Sequence, residues 1–399
     1  MRPTFSLGRI AGVRVGVHWS VLLIFGLIAF GLAAGRLPEA HPGHSWAAYA
    51  LAGLVTAVVF FASLLAHELA HAVVARRNGV PVDDIVLWLL GGATRMRAEA
   101  PSPAAELRIS GVGPLVSLVL GVGFALLAGA LAALSASRLL VESVAWLAGI
   151  NVLLALFNAI PAAPLDGGRL LRAFLWWRTG DRLRATAGAS AAGRIFGWLL
   201  VALGVWGFLW TTAFGALWLA LVGWFLVVAA TQEERQARLR ELLSGVAVDE
   251  TMTRDPETVP AGLTVDRLLA DPGYAHGHSA LPVTDDGPAG RVLGLMTLDR
   301  AGKVPEPGST TVGEAMRPLS ETRVATPGEA LVDVLPRLEP GAENRVVVLD
   351  GDRLAGIVSP SDVNRTVRWL STRRSRDGGD HRGHRGRRGR WDRHDRSDH

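Results

Sequence analysis

The sequence predicts a mainly α-helical protein: a polytopic membrane bundle of about six spans, followed by a paired α/β module outside the bilayer. Three observations carry that expectation. Of the 399 residues, 49% are hydrophobic and 19% charged, too apolar a balance for an ordinary soluble protein. Six apolar runs are long enough to cross about 30 Å of hydrocarbon, which takes roughly 20 helical residues. At Thr231 the composition turns abruptly to the charged stretch Gln-Glu-Glu-Arg-Gln-Ala-Arg-Leu-Arg. The expected domains are residues 1–232 for the membrane bundle, 233–246 for a charged linker helix, 247–306 and 307–370 for two α/β halves, and 371–399 for a disordered tail.

The net charge of +5 is not a nucleic-acid signature. Residues 371–399 hold ten Arg against five Asp, which accounts for all of it and leaves the rest of the chain neutral. Such a tail is solvated or lies on anionic lipid, so no specific nucleic-acid partner is expected. Without a single Cys, disulfide frameworks, Cys-zinc sites and thiol nucleophiles are excluded. Lys303 is the one lysine beside forty Arg, as in a GC-rich coding sequence. No cleavable signal peptide is expected, since the first apolar run is long enough to span and lacks an early small-residue cleavage site.

The runs lie near 16–34, 47–75, 109–133, 139–160, 193–211 and 213–230. The last two are parted only by Trp210 to Gly215 and read as a hairpin. Trp198, Trp206, Trp210, Trp218 and Trp224 suit interfacial or lipid-facing positions. Arg2, Arg9 and Arg14 precede the first run; Arg76, Arg77, Arg95, Arg97 and Arg108 follow the second; Arg169, Arg172, Arg178, Arg182, Arg184 and Arg194 follow the fourth. The opposite loops carry Arg36 and Arg138, so both termini are expected in the cytoplasm.

In the soluble part a motif recurs. Val248-Asp-Glu-Thr-Met252 returns as Val312-Gly-Glu-Ala-Met316, and each copy alternates short helices with β-rich runs, Leu281–Val283 and Val292–Thr297 in the first, Arg345–Leu349 and Gly356–Ser359 in the second. Paired units of this kind need each other to bury their sheets. After Leu370 apolar residues nearly vanish, and the Arg, Gly, His and Asp repeat reads as disordered.

Chemistry concentrates in the second run, Leu64-Leu-Ala-His67-Glu68-Leu-Ala-His71-Ala72. His67 and His71 stand at i and i+4, so one helix face presents both imidazoles to a shared metal, and Glu68 can reach a water as general base. Ionisable groups inside hydrocarbon are costly unless paired or metal-bound, so their place in a span marks a functional site. A hydrolytic metal site needs a third ligand and an open position. Asp166 is the candidate, directly after the double-proline stretch Asn158-Ala-Ile-Pro161-Ala-Ala-Pro164-Leu-Asp166-Gly-Gly168. Prolines unwind a helix, tolerable in a membrane where the backbone lines protein or a wet cavity. A plain helix-ending turn is the other reading of Pro-Leu-Asp-Gly-Gly. His18 could approach the site or sit at the interface beside Trp19. Glu142 reads as an outer-interface residue, and Asp83, Asp84, His41 and His44 as loop residues.

These motifs resemble the site-2 protease family of intramembrane zinc metalloproteases. His67-Glu68-Leu-Ala-His71 is similar to its zinc-and-base motif, and Asn158 to Gly168 to its second motif, in the same order along the chain. Gly91-Gly92 and Gly111-Val-Gly113-Pro114 are further matches, and the likeness covers residues 10 to 190. The resemblance implies one Zn2+ per chain held by His67, His71 and Asp166, with Glu68 activating water. It also implies that Gly91 and Gly92 lie in a strand that pairs with an unfolded substrate segment, and gives Asn158 a role in substrate or oxyanion contact. Imidazole and carboxylate ligands suit iron or cobalt as well. His71 lies five residues before Arg76, which puts the metal about 8–14 Å below the cytoplasmic surface. The implied substrate is a single-span membrane protein of the bacterial plasma membrane, such as an anti-sigma factor, and its span must unwind before cleavage.

The tandem region resembles a pair of cystathionine-β-synthase (CBS) domains, which implies an adenine nucleotide as ligand. Gly356-Ile-Val-Ser359-Pro-Ser-Asp362 fits that family's pattern, so Ser359 and Asp362 are the candidate nucleotide contacts. In the first copy Arg300 stands where the Asp would fall. The pair reads equally as a ligand sensor or as a structural module through which the chain forms a homodimer. The competing readings are a CBS-regulated ion or metal transporter, with the two His and the Asp as an ion path, and an idle scaffold. Glu68 favours the protease, since an ion path needs no base, and no ligand is lost as a scaffold would allow.

Overall fold

The structure is a computed structural model that describes residues 4–89, 91–96, 98–211, 214–275, 279–285, 290–338 and 344–383. The chain divides into two compact units, residues 1–237 and 238–399.

The first unit opens with a hairpin, β1 (Phe5–Ile10) and β2 (Val13–Val17), that leads into α1 (Ser20–Gly31). A π-helical turn at Leu32–Arg36 carries α1 into the short α2 (Leu37–Ala40). The second span, α3 (Trp46–Arg77), starts where the Ser45 side chain accepts a hydrogen bond from the Ala48 amide. Two strands follow, β3 (Val82–Trp88) and β4 (Gly91–Met96), then α4 (Pro103–Ala133), α5 (Arg138–Ala159), α6 (Asp166–Thr179), α7 (Arg182–Thr211) and α8 (Phe214–Leu243). Among the described residues six segments are long and apolar enough to cross a membrane: 20–40, 46–77, 103–133, 138–159, 182–210 and 215–243. They coincide with the six runs read from the sequence and extend past most of them, because helix continues into polar residues once begun. The five tryptophans of the last two spans are all exposed at the protein surface, where lipid would lie. Residues 212 and 213, in the expected hairpin turn, lie outside the described residues.

The four strands form one sheet in the order β1-β2-β3-β4. β2 and β3 run parallel, the other pairs antiparallel, and β4 is an edge. Asp83 and Asp84 therefore belong to a strand and not to a loop. Arg95 on β4 holds both Asp84 carboxylate oxygens at 2.6 Å, which lets an acid sit in a buried strand position. That guanidinium holds the Asp84 carboxyl below the usual carboxylate range, against burial, which pushes the other way.

The double-proline stretch breaks the chain as expected. Helix α5 stops at Ala159, Ile160 turns extended, and α6 begins at Asp166. Gly167 and Gly168 start α6 hard against the backbone of Ala159 to Ala163, where a Cβ on either would collide with main-chain atoms. Below, Arg172 of α6 pairs with the buried Glu106 of α4 and, at 3.2 Å, with Glu233 of α8. Arg194 of α7 pairs with Glu234 at 2.5 Å.

The expected linker helix at 233–246 is the continuation of α8, which runs unbroken to Leu243. The second unit then contains β5 (Thr253–Arg254), β6 (Val259–Pro260), α9 (Val265–Ala270), α10 (Pro272–Ala275), β7 (Ala280–Thr284), β8 (Val292–Thr297) and α11 (Leu298–Ala301). The repeat follows as α12 (Val312–Ala315), β9 (Arg317–Pro318), β10 (Val324–Ala325), α13 (Leu331–Val334), β11 (Val346–Asp350), β12 (Arg353–Val358) and α14 (Pro360–Gly383).

Two sheets result, β6-β7-β8-β9 and β10-β11-β12-β5. Each half thus lends its opening segment to the other. Val246 and Val248 are buried in the core with Leu331, Val346 and Val358 of the second half. Val312 is buried with Val265, Leu281 and Met296 of the first. The boundary between 306 and 307 read from the repeat is therefore crossed in packing, because the exchanged strand covers an edge that each half alone would leave open. Helix α14, anchored by Val363, Val367 and Leu370 on the second core, extends through 371–383, the opening part of the segment read as a disordered tail. Residues 384–399 lie outside the described residues.

The exchange makes a prediction. Val248→Ala removes a fully buried side chain and should destabilise the half to which it contributes, by about 1–3 kcal/mol. Hydrogen–deuterium exchange of the full chain should show faster exchange in β11 and β12 than in β7 and β8, despite the residue's position in the first repeat.

Candidate metal centre

Helix α3 presents His67 and His71 on one face, and the start of α6 brings Asp166 to them. His67 Nε2 and His71 Nε2 are 3.2 Å apart, and Asp166 Oδ2 lies 3.1 Å from His71 and 3.3 Å from His67. Among the described residues this is the group of three His, Cys, Asp or Glu side chains whose ligand atoms all fall within 4.8 Å. Tetrahedral coordination at about 2.0–2.2 Å would space three ligand atoms roughly 3.3–3.6 Å apart, close to the separations found.

Helix α4 orients both rings from behind. His71 Nδ1 is 2.6 Å from the Ile109 carbonyl. A carbonyl can only accept, so Nδ1 carries the proton, and in the neutral ring that leaves Nε2 as the nitrogen able to bind a metal. His67 Nδ1 meets Ser117 Oγ at 2.8 Å, a hydroxyl that can accept from an Nδ1–H as well as donate. Gly113 of α4 lies directly over the ligand atoms. A Cβ there would fall inside contact distance of His71 Nε2 and 2.7 Å from His67 Nε2. The space is one that a side chain would fill and an ion can occupy. Both imidazoles are buried, with 3% and 6% exposure, so an unliganded cluster would carry a heavy desolvation cost. The donor set, its spacing and the cradle beneath Gly113 fit zinc.

Glu68 is buried beside this cluster, and strand β4 covers it. A Cβ at Gly92 would overlap the Glu68 side chain, and Thr94 Oγ1 donates to Glu68 Oε2 at 3.0 Å. Gly91 begins β4 with φ of +129°, a backbone region that suits glycine. Asn158 stands half-buried in the last turn of α5, eight residues before Asp166. His18 is outside the cluster: its Nδ1 bonds Ser20 Oγ at 2.8 Å and its amide joins the sheet through Leu87. Glu142 pairs with Arg36 at 2.8 Å.

Ser359 and Asp362 lie in the second unit and face each other. Asp362 Oδ2 accepts from the Ser359 amide at 2.9 Å and from its hydroxyl at 2.5 Å. Its other oxygen accepts from Thr253 at 3.1 Å and Arg365 at 2.7 Å. The pair is a buried capping box that starts α14 and ties it to β5.

Sequence reasoning passed over Ser117, the Ile109 carbonyl and Thr94. Glu106, Ser110, Gly113 and Ser117 follow one another at intervals of four, three and four, a polar and small stripe along an otherwise apolar span. That spacing is the signal that marks the α4 face turned toward the metal site.

A buried His-His-Asp cluster with an adjacent Glu, set among membrane-spanning helices, defines an intramembrane metalloprotease. The chain belongs to peptidase family M50, whose family model matches residues 55–134 and 128–203. It is 44% identical over 370 residues to Rip3 of Mycobacterium tuberculosis strain H37Rv, a zinc metalloprotease by its name, covering 92% of this chain and 93% of that one. Among solved structures it matches the site-2 protease from Methanocaldococcus jannaschii at 29% identity and TM-score 0.40, over 58% of this chain and 95% of that one. The CBS domain of a bacterial CNNM/CorC family Mg2+ transporter, solved with ATP, matches at 23% identity and TM-score 0.28, over 34% of this chain and 96% of that domain. Family membership makes the chain a multi-pass metalloprotease acting on membrane proteins, and the transporter and scaffold readings fall away.

Two substitutions test the centre. Gly113→Ala should cut bound zinc to well below one ion per chain with helix content unchanged, read by metal analysis and circular dichroism. Ser117→Ala, which frees the His67 ring, should weaken zinc affinity about 10–100-fold in competition with a chelator.

Proposed function

We propose that the protein hydrolyses a peptide bond in or near the transmembrane segment of a membrane-anchored regulatory protein. The observation that carries the reading is the junction of His67 and His71 with Asp166, ninety-five positions further on, beside the base Glu68 and beneath an edge strand. In it His67, His71 and Asp166 hold the metal. When bound, zinc supplies Lewis acidity that polarises the scissile carbonyl and makes water a better acid. Glu68 takes the proton of the attacking water and returns it to the amide nitrogen as the C–N bond breaks. The free edge of β4, with Gly91 and Gly92, receives the substrate as an added strand, which suits a protease because an extended backbone exposes its amides. Asn158, at the unwound end of α5, contacts the substrate carbonyl.

Helical substrate must unwind first, so spans carrying Gly, Pro or Asn are preferred. The arginine asymmetry supports both termini in the cytoplasm of a bacterial plasma membrane, with a short water path from that side to the metal. A single-span anti-sigma factor is a substrate of the right kind. An adenine nucleotide at the second half of the tandem unit would take over bonds now made within the Ser359–Asp362 cap. Calorimetry of the full chain with ATP and with AMP tests it, and absence of heat with either leaves the unit structural.

The decisive comparison is the membrane proteome of the host carrying wild type against Glu68→Gln. The variant should keep its zinc and lose cleavage, so single-span proteins accumulate uncut or as membrane-bound stubs. In detergent, a reporter with one apolar span interrupted by an Asn-Pro-Gly segment should be cut by the wild type alone. Equal cleavage by the two proteins would remove the base assignment.

A further inference from the structure

Strand β4 does more than present an edge, because one of its faces rests on Glu68. Successive strand residues point to opposite sides. Gly92 and Thr94 share the side toward α3, while Arg95 turns the other way to reach Asp84. Gly92 lets the strand approach so closely that a Cβ there would be 2.7 Å from Glu68 Oε1. Thr94, one pleat further, sends its hydroxyl to Glu68 Oε2 at 3.0 Å, with the Glu68 carbonyl farther off at 3.4 Å.

We infer that Thr94 is a positioning residue for the general base: its hydroxyl pins one oxygen of Glu68, leaves Oε1 to accept the proton of water, and so ties the base to the strand that receives the substrate. The inference rests on the proteolytic reading above. A threonine hydroxyl has one proton, and a carboxylate has two oxygens that can each act as base. Terminal carboxylate torsions are soft, so an unheld Glu68 would sample several orientations. Donation to Oε2 removes that freedom and assigns the two oxygens different tasks. The Thr94 proton stays on Thr94 throughout. Glu68 Oε1 takes a proton from the water that adds to the carbonyl carbon, and gives it to the departing amine.

β4 is paired on one side by β3 and is the edge of its sheet. A substrate segment laid along the open side adds hydrogen bonds to the same strand that carries Thr94. Its binding therefore restrains the base as well as the scissile bond.

The test uses the full zinc-loaded chain in detergent, as Thr94→Val and Thr94→Ser beside the wild type. Valine keeps the β-branched shape and strand preference without the hydroxyl, and serine keeps the hydroxyl. The first readout is turnover of the Asn-Pro-Gly reporter. The second is affinity for a peptide hydroxamate, whose acidic hydroxyl is held by the base carboxylate, set against 1,10-phenanthroline, which contacts the metal alone. Thr94→Val should lower kcat about tenfold with KM within about twofold, and weaken the hydroxamate about tenfold, as loss of one charge-assisted hydrogen bond implies. Zinc content and phenanthroline sensitivity should not move, and Thr94→Ser should restore both losses to within about threefold. Wild-type values for Thr94→Val in both readouts, or a loss that serine does not restore, would overturn the inference. Should the wild type fail to cut the reporter, the proteolytic reading is what falls, and the hydroxamate series still decides the role of Thr94.

Discussion

Three side chains that water would normally keep apart from hydrocarbon meet inside this bundle, and the rest of the first unit is arranged around the cost of putting them there. His67 and His71 are almost wholly buried, and Asp166 is nearly so. Isolated in a membrane, each would carry a penalty of several kcal/mol. Brought to within 3.3 Å of one another, they form a donor set that could hold a divalent cation, whose binding would offset the cost of their burial. The interruption of α5 is part of the same solution. A helix that ran on past Ala159 would carry Asp166 away along its axis, whereas the unwound stretch and the two glycines restart the chain as α6 at the place where its first residue meets the imidazoles.

Helix α4 supplies the support behind that meeting. It contributes a backbone carbonyl to one ring, a hydroxyl to the other, and an absence of side chain over the metal position. At its N-terminal end it contributes Glu106 to the ion pair with Arg172 of α6. Helix α6 is thus tied to α4 at one point near Asp166 through the ligand cluster and at a second about 9 Å down its own axis. A buried pair of this kind adds little net stability, but breaking it would leave an uncompensated charge. Its value is that it admits one placement of α6. The edge strand β4 closes the arrangement from the other side, where it touches Glu68.

The second unit is governed by a different constraint. Each half has a small sheet with an edge to cover, and the chain covers it by exchanging opening segments between halves. The third apolar cluster, with Ala280, Val292 and Leu295 from one sheet and Val347 and Ile357 from the other, joins them face to face. The Ser359–Asp362 cap shows how the exchange reaches local chemistry, since one of its partners, Thr253, comes from the borrowed strand.

Much of this was legible in the residues themselves. Run length alone located the six spans, because a bilayer imposes its thickness on any helix that crosses it. The i, i+4 spacing of His67 and His71 placed them on one face, since a helix has a fixed 3.6-residue turn. The prolines marked the break before Asp166, and the doubled Val-x-Glu-x-Met motif marked the repeat. Each of these signals is local, decided within a few turns of chain. What only the tertiary structure decided is of another kind: that Ser117 and the Ile109 carbonyl stand behind the histidines, that Thr94 holds Glu68, that Asp84 is a paired strand residue, and that each soluble half borrows a strand from the other. Those contacts join residues between 11 and 109 positions apart. No periodicity spans such distances; they exist because packed helices and sheets bring particular faces together, and a face has no partner until the fold provides one.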